Sequence, residues 1–181
     1  MTQSNLTQWL GGILARYNPK TALTTAATCC ALVLGGCSSL PEKKIYTNID
    51  INAPAEQVWA ILVDNSAYAE WNPYHVRVNG TIAVGNTLDL QIHKPNGDSV
   101  LIQPSVMRLE PLRELTWGGG IRGIFFGEHV FLLEPINAQQ TRLIHKEHFS
   151  GIAIPFASLE TIEEGYADMN TALKQRAEAG H

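Results

Sequence analysis

The sequence has little cysteine, and the cysteine is confined to one end. Cys29, Cys30 and Cys37 are the only three in a chain of 181 residues. The sequence after Cys37 therefore has neither a disulfide framework nor a thiol nucleophile.

Acidic residues are absent from the same end. Residues 1–36 contain no Asp or Glu and only two basic residues, Arg16 and Lys20, whereas the whole chain has 17 acidic and 13 basic residues. The remainder is therefore acidic, which argues against a nucleic-acid partner, because phosphate binding needs a basic face. The overall composition, 45% hydrophobic and 17% charged, is that of a globular protein.

Two catalytic motifs are also missing. No Gly-Lys-Ser/Thr follows the glycine run 118–120, so this run is not a phosphate-binding loop, and the chain has no Gly-x-Ser-x-Gly elbow. We assign no cofactor and no metal from the sequence.

The first 36 residues have the layout of a secretory signal peptide. An uncharged run over 21–36 follows the two basic residues and ends in small side chains. The run is short and rich in threonine for a membrane-spanning helix, which needs about 20 apolar residues. The alternative is an uncleaved anchor or a chance apolar run.

The segment Leu34-Gly35-Gly36-Cys37 resembles the bacterial lipobox. The resemblance implies that the leader is cut before Cys37 and that Cys37 is acylated, which would anchor the protein to a membrane. Ser38 stands where an inner-membrane retention signal would usually be Asp, which favours the outer membrane, facing the periplasm. We therefore expect a signal peptide over 1–36, a tether over 37–43 and one domain over 44–181.

The pattern of this domain predicts an α+β fold. Alternating apolar residues predict a strand over 44–52, and Asn52 before Ala53-Pro54 marks a helix start, with a second short helix over 67–71. Period-two alternation and turn residues predict six further strands and a flexible loop at 118–126. An apolar residue every three or four positions then predicts a long helix over 156–177.

This order resembles the SRPBCC superfamily, which includes START lipid-transfer domains and polyketide cyclase/dehydrase-type proteins. The similar segments are 51–59, Tyr68-x-x-Trp71-Asn72-Pro73, Arg113-x-Leu115-x-Trp117, 128–135 and 141–151. The resemblance covers about residues 44–178. It implies a helix-grip fold, in which a curved antiparallel sheet (β-α-α-β6-α) wraps round the long C-terminal helix and leaves a hydrophobic cavity between them.

Alternation along the strands and the helical period predict which side chains face that cavity. We expect a mostly apolar lining with a few polar groups, as in most small-molecule pockets. The candidate ligand-binding residues are Trp71, Tyr74, Leu90, Trp117, His129, Phe131, Leu143, His145, Glu147, Phe149, Phe156, Leu159, Ile162, Tyr166 and Met169. Trp71 and Tyr74 are expected near the mouth, and His75, His93 and His148 in solvent.

His129, His145 and Glu147 allow three interpretations. They are ligand types that zinc accepts, although no Cys or His-Glu-x-x-His motif supports a metal site. They also suit a His–Glu acid–base pair acting on a bound carbonyl compound. The interpretation we favour is that they hydrogen-bond one another beneath the helix or orient a polar ligand head.

The sequence thus favours a lipid-anchored envelope protein that binds a lipid or other hydrophobic small molecule. The alternative is an enzyme of the polyketide cyclase, dehydrase or hydrolase kind that uses His145 and Glu147. A third interpretation is a structural envelope protein that presents its surface to another protein.

Overall fold

The computed structural model describes residues 39–179. The predicted signal peptide and Cys37 lie outside these residues. The elements, in chain order, are β1 (Glu42–Ile51), α1 (Ala55–Val63), α2 (Tyr68–Trp71), β2 (His75–Asn79), β3 (Asp89–His93), β4 (Ser99–Ile102), β5 (Ser105–Glu110), β6 (Glu114–Ile121), β7 (Phe125–Asn137), β8 (Gln140–Ser150) and α3 (Ile162–Ala179).

The predicted α+β architecture, a curved antiparallel sheet with a long C-terminal helix, is confirmed. Five strands pair in the order β1-β8-β7-β6-β5, and three pair in the order β2-β3-β4. An isolated bridge between Thr87 and Ser105 connects the two groups. In the five-stranded sheet β7 and β8 form a long hairpin, and β1, which starts the domain, returns as the neighbour of β8.

Helix α3 supplies the cover that the sheet needs. The stripe of residues that it buries recurs every three or four positions, as expected for a helix with one apolar face: Ile162, Gly165, Tyr166, Met169, Asn170, Leu173 and Ala177. No helix among residues 39–179 is long and apolar enough to cross a bilayer.

Gly165 allows α3 to approach the short strand β2. A Cβ atom at this position would lie 2.2 Å from Cδ2 of Tyr74, far inside a van der Waals contact. The missing side chain therefore lets the Tyr74 ring pack edge-on against Tyr166, with ring centroids 5.4 Å apart. This contact places Tyr74 under the helix rather than at the predicted mouth.

The predicted strand over 99–109 is in fact two strands. Pro104 has no N–H for a ladder, and the chain breaks there into β4 and β5, which belong to different sheets. Seven strands therefore follow α2, instead of six.

The glycine run that we expected in a flexible loop lies within β6. A Cβ atom on Gly118 would lie 2.6 Å from the carbonyl oxygen of Gly127 on β7. These glycines therefore permit close strand pairing, and the turn that follows is correspondingly shorter than predicted.

The last helix begins at Ile162 rather than at Phe156. Pro155 lies in a one-turn 3₁₀ helix, and the chain is extended at Ala157. Thr161 and Glu164 have the spacing of a capping box, and Gly165 N donates to Thr161 O. Phe156 therefore lies outside the helix and is 77% exposed, so its predicted place in the cavity lining was wrong.

Candidate functional site

A cavity of about 170 Å³ lies between the sheet and α3. Its walls come from β2, β3, β4, β6, β7, β8 and α3, and from the segment before α3. The cavity is smaller than the roughly 300–1,000 Å³ of typical small-molecule pockets. In this conformation it has room for a small ring system or for one end of a longer chain.

The structure brings part of the predicted lining together. The predicted residues that border the cavity are Tyr74, Trp117, His129, Glu147, Phe149, Leu159, Ile162 and Tyr166. Phe125, Val100 and Ala157 add further apolar surface that was not predicted.

The other predicted lining residues lie elsewhere. Leu90, Phe131, Leu143 and Met169 face inward as predicted, but they are packed in the hydrophobic core rather than at the cavity. Trp71 borders a separate groove formed with α1 and α3. His145 also faces inward, but it does not border the cavity, because His129 and Tyr166 lie in front of it.

His75 was expected in solvent, but it is only 1% exposed and borders the cavity. A register shift between His75 and Arg77 interrupts the alternation of β2 and turns the imidazole inward. The ring packs against Trp117 and His129, at centroid distances of 5.8 and 5.2 Å. Burial lowers the pKa of His75 to about 3, so its imidazole is neutral at physiological pH.

A buried chain of hydrogen bonds starts at the cavity and runs beneath α3. Glu147 bonds to the Tyr166 hydroxyl, which lies 3.0 Å from Nδ1 of His129. Nε2 of His129 lies 2.9 Å from Nε2 of His145, and Nδ1 of His145 lies 2.8 Å from Oδ1 of Asn170. His129 and His145 bond each other directly, as in the favoured sequence interpretation, whereas Glu147 is linked to them only through Tyr166.

Two further bonds continue the chain to the edge of the sheet. Nδ2 of Asn170 donates to Oγ1 of Thr47 over 2.9 Å, and this hydroxyl donates to the backbone oxygen of His145 over 3.1 Å. The amide of Asn170 is thereby oriented with its nitrogen toward Thr47 and its oxygen toward His145.

This orientation fixes the direction of every bond in the chain. The Asn170 oxygen can only accept, so His145 donates from Nδ1, and because burial lowers its pKa to about 3, its Nε2 carries no proton. His129 must then donate from Nε2 and accept at Nδ1. Burial also lowers the pKa of His129 well below its usual value.

Among residues 39–179, the only donor near Nδ1 of His129 is the hydroxyl of Tyr166. A hydroxyl has a single proton, so when Tyr166 donates to His129 its oxygen accepts from Glu147, which is then a neutral carboxylic acid, whereas an ionised Glu147 would accept the proton of Tyr166. Ionisation of Glu147 would turn the Tyr166 proton toward the carboxylate and leave Nδ1 of His129 without a donor.

The environment of Glu147 favours the neutral form. Burial raises its pKa to about 7, and this effect outweighs the opposing effect of the Tyr166 hydroxyl. Gly127 makes room for the carboxyl group, because a Cβ atom there would lie 3.0 Å from Oε1 of Glu147. A mainly neutral acid therefore faces the cavity below about pH 7.

Sequence reasoning missed Thr47, His75, Gly127 and Asn170. Asn170 interrupts the apolar stripe of α3 one turn after Tyr166, and this lone polar residue on a buried face was a usable signal. The inward orientation of His75 depends on the register shift between His75 and Arg77, which no residue pattern predicts.

The residues of this hydrogen-bond chain do not form a metal site. The facing Nε2 atoms of His129 and His145 are 2.9 Å apart, a hydrogen-bond distance that leaves no space for an ion between them. Across residues 39–179, no group of three or more His, Cys, Asp or Glu side chains is arranged to hold a metal.

Comparison with known proteins identifies a family match. The family model described as polyketide cyclase / dehydrase and lipid transport matches residues 42–178. No curated protein matches the chain.

Solved structures share the fold at low sequence identity. The chain is similar to the Zhui aromatase/cyclase from Streptomyces sp. R1128, with 16% identity, a TM-score of 0.63 and coverage of 76% of this chain and 94% of that one. A START superfamily protein from Mycobacterium smegmatis has 19% identity and a TM-score of 0.57, with coverage of 76% and 99%. Norcoclaurine synthase from Thalictrum flavum, solved with dopamine and hydroxybenzaldehyde, has 12% identity and a TM-score of 0.60, with coverage of 86% and 99%.

The buried groups make opposite contributions to the pH dependence of stability. Because the folded pKa of Glu147 is raised from 4.5 to about 7, its stabilising contribution is complete below pH 4.5 and is lost as the pH rises to about 7. His75 and His145 have pKa values lowered from 6.5 to about 3, so their contributions grow as the pH rises from about 3 to 6.5.

We therefore expect the free energy of unfolding of Glu147→Gln to rise more steeply with pH than that of the wild type. The difference is one proton, about 1.4 kcal/mol per pH unit between about pH 4.5 and 6.5. Urea titrations across this range measure it, with the exposed-face variant Glu163→Gln as the control, which should parallel the wild type. Parallel curves for Glu147→Gln and the wild type would show that Glu147 is ionised in the folded protein.

Proposed function

The chain belongs to the polyketide cyclase/dehydrase and lipid transport family of the SRPBCC superfamily, and on that premise we propose that it is a lipid-anchored binding protein for an apolar small molecule. Family membership supports a role in hydrophobic ligand binding or cyclisation. The lipid anchor rests on the lipobox resemblance at Cys37 and would place the domain in the bacterial envelope, at the periplasmic face of the outer membrane.

One observation carries the binding proposal: the cavity is mostly apolar, and at one wall polar groups lack partners in the described part of the protein. Within the described residues, neither ring nitrogen of His75 nor the hydroxyl of Tyr74 has a hydrogen-bond partner. Burial raises the pKa of Tyr74, so this hydroxyl stays protonated. A mostly apolar ligand with one uncharged polar group, such as a carbonyl or a hydroxyl, would satisfy these groups.

The charge state of this wall supports an uncharged ligand. At this wall a carboxylate ligand would lose its hydration without meeting a cation, because His75 is neutral there and Lys94, which also lines the cavity, donates to the backbone oxygen of Ser158. A neutral acceptor would instead receive a hydrogen bond from Tyr74 or from His75, at a much smaller cost of desolvation.

Filling the cavity tests the binding proposal. Ala157 lines the cavity, and Ala157→Phe would occupy part of its volume. We expect at least a tenfold loss of affinity for a neutral naphthyl ketone with environment-sensitive fluorescence, about 1.4 kcal/mol. Ala172→Phe, in the groove on the other side of α3, is the matched control and should bind normally. Equal affinities for the two variants would contradict binding in this cavity.

The anchor is tested separately in intact bacteria. We expect metabolic labelling with palmitate to mark the wild type but not Cys37→Ser, and globomycin to cause the precursor to accumulate. A Cys37→Ser variant that remains membrane-bound and unshifted in size would contradict acylation at this residue.

The neutral acid at the cavity favours one second candidate, acid–base catalysis on a bound carbonyl compound. Glu147 would then act directly as the acid, and His145 would act only through His129 and Tyr166, since it does not border the cavity. In any assay that reveals turnover, Glu147→Gln should retain binding but lose roughly 10²–10⁴-fold in rate. Unchanged turnover would exclude this candidate.

A further inference from the structure

One end of the domain exposes a group of large apolar side chains, which we call the apolar end. Most exposed large hydrophobic residues in a soluble protein are scattered, whereas a contiguous group marks a contact surface. Its members and their exposed fractions are Leu40 (46%), Ile121 (41%), Ile124 (42%), Ile152 (59%) and Phe156 (77%).

Backbone hydrogen bonds hold these residues together. The N–H of Ile152 donates to the oxygen of Gly123 over 3.1 Å, and that of Ala153 donates to the oxygen of Ile124 over 2.9 Å. The β6–β7 turn and the segment after β8 therefore form one surface. Gly151 donates to the oxygen of Pro41 over 2.9 Å, which adds the start of the described chain to it.

The chain outside the described structure enters at this surface. The described residues begin at Ser39, and the predicted acylation site is Cys37, four residues before Pro41. A fully extended chain covers at most about 3.6 Å per residue, so an acylated Cys37 would hold Pro41 within roughly 14 Å of the membrane. Such an anchor would keep the apolar end close to the bilayer without fixing the orientation of the domain.

The cavity opens beside the apolar end. Leu101 on β4 borders the cavity and is 65% exposed, so it forms one lip of the mouth. Phe125 and Ala157 border the cavity from the other side, and each directly follows a member of the apolar end in sequence. A molecule entering from the bilayer would therefore pass from one apolar surface to another.

The charges near the apolar end suit a lipid headgroup region. The Arg122 guanidinium lies 4.2 Å from the ring centroid of Phe126 and has no ion-pair partner in the described part of the chain. A free cation beside exposed apolar side chains is typical of a surface that contacts phosphate headgroups and acyl chains together. Glu42, at the start of β1, is paired with Lys44 and His148.

We propose that the apolar end docks on the lipid bilayer, so that the cavity mouth faces the membrane from which the ligand is taken. The proposal rests on the lipid anchor for its geometry but makes a separate claim, since a tethered domain can also tumble freely above the surface. It names the lipid surface as the occupant of the patch, in place of a second copy or the chain's own N-terminal segment.

The two ends of β7 provide a matched test. Ile124 lies in the apolar end, directly before β7, and is 42% exposed. Ile136 lies near the far end of β7 and is 44% exposed. The two positions are separated by twelve residues of extended chain, roughly 40 Å. They therefore differ in their predicted distance from the membrane but hardly in residue type or exposure.

The experiment places the photo-crosslinker p-benzoylphenylalanine at position 124 or 136 of the full chain in its native membrane. After irradiation, mass spectrometry identifies the adducts, and palmitate labelling of the same samples reports acylation of Cys37. We expect lipid adducts from position 124, at least tenfold above those from position 136.

Any outcome without a preference for lipid adducts at position 124 overturns the docking proposal. Equal adducts from the two positions would mean a freely tumbling domain. Adducts of doubled mass from position 124 would identify a second copy on the patch, and adducts with residues 1–38 would identify the chain's own leader. Palmitate labelling without lipid adducts at 124 would overturn docking and retain the anchor, whereas adducts at 124 without labelling would retain docking and overturn the anchor.

Discussion

The hydrogen bond between the imidazoles of His129 and His145 is the constraint on which the rest of the site depends. Two nitrogens 2.9 Å apart share one proton, so one ring must donate and the other must accept. Asn170 decides which ring donates, and the consequence reaches through Tyr166 to the carboxyl group of Glu147. The protonation state at the cavity wall thus depends on an amide that is separated from Glu147 by the side chains of Tyr166, His129 and His145.

These buried hydrogen bonds, which form a chain from Glu147 to Thr47, also hold α3 against the sheet. Its members come from β1, β7, β8 and α3, so the helix is held in one register over the strands by polar bonds in a region where an unpaired group would be costly. The cavity lies where this polar chain meets apolar packing. Glu147, Tyr166 and His129 belong to the hydrogen-bond chain and also border the cavity. Ligand recognition and helix placement therefore share these residues.

Much of the fold followed from the sequence because its patterns are local. The period of two placed Leu133 and Leu143 on the inner face, and the helical period placed Tyr166 and Leu173 beneath α3. The difference between a core position such as Phe131 and a cavity position such as Trp117 was beyond such patterns, since both are inward and apolar. It depends on how closely β4 and the segment before α3 approach the sheet. Pro104 separates β4 from β5 and Pro155 lies in the 3₁₀ helix before α3, so both prolines affect these approaches. The hydrogen-bond order was equally inaccessible, because it requires knowing that Asn170 faces His145.

The cavity is a mostly apolar space with a neutral acid at one wall, and it lies beside an apolar surface at the end where the described chain begins. The neutral state of Glu147 is the central claim, and the infrared difference spectrum between the wild type and Glu147→Gln at about pH 6 tests it most directly. At that pH an ordinary glutamate is ionised, whereas Glu147, with its pKa raised by burial to about 7, is protonated. The account predicts a carbonyl band of a protonated carboxylic acid in the wild type that disappears in the variant and shifts in heavy water. A difference spectrum with carboxylate bands alone would contradict it.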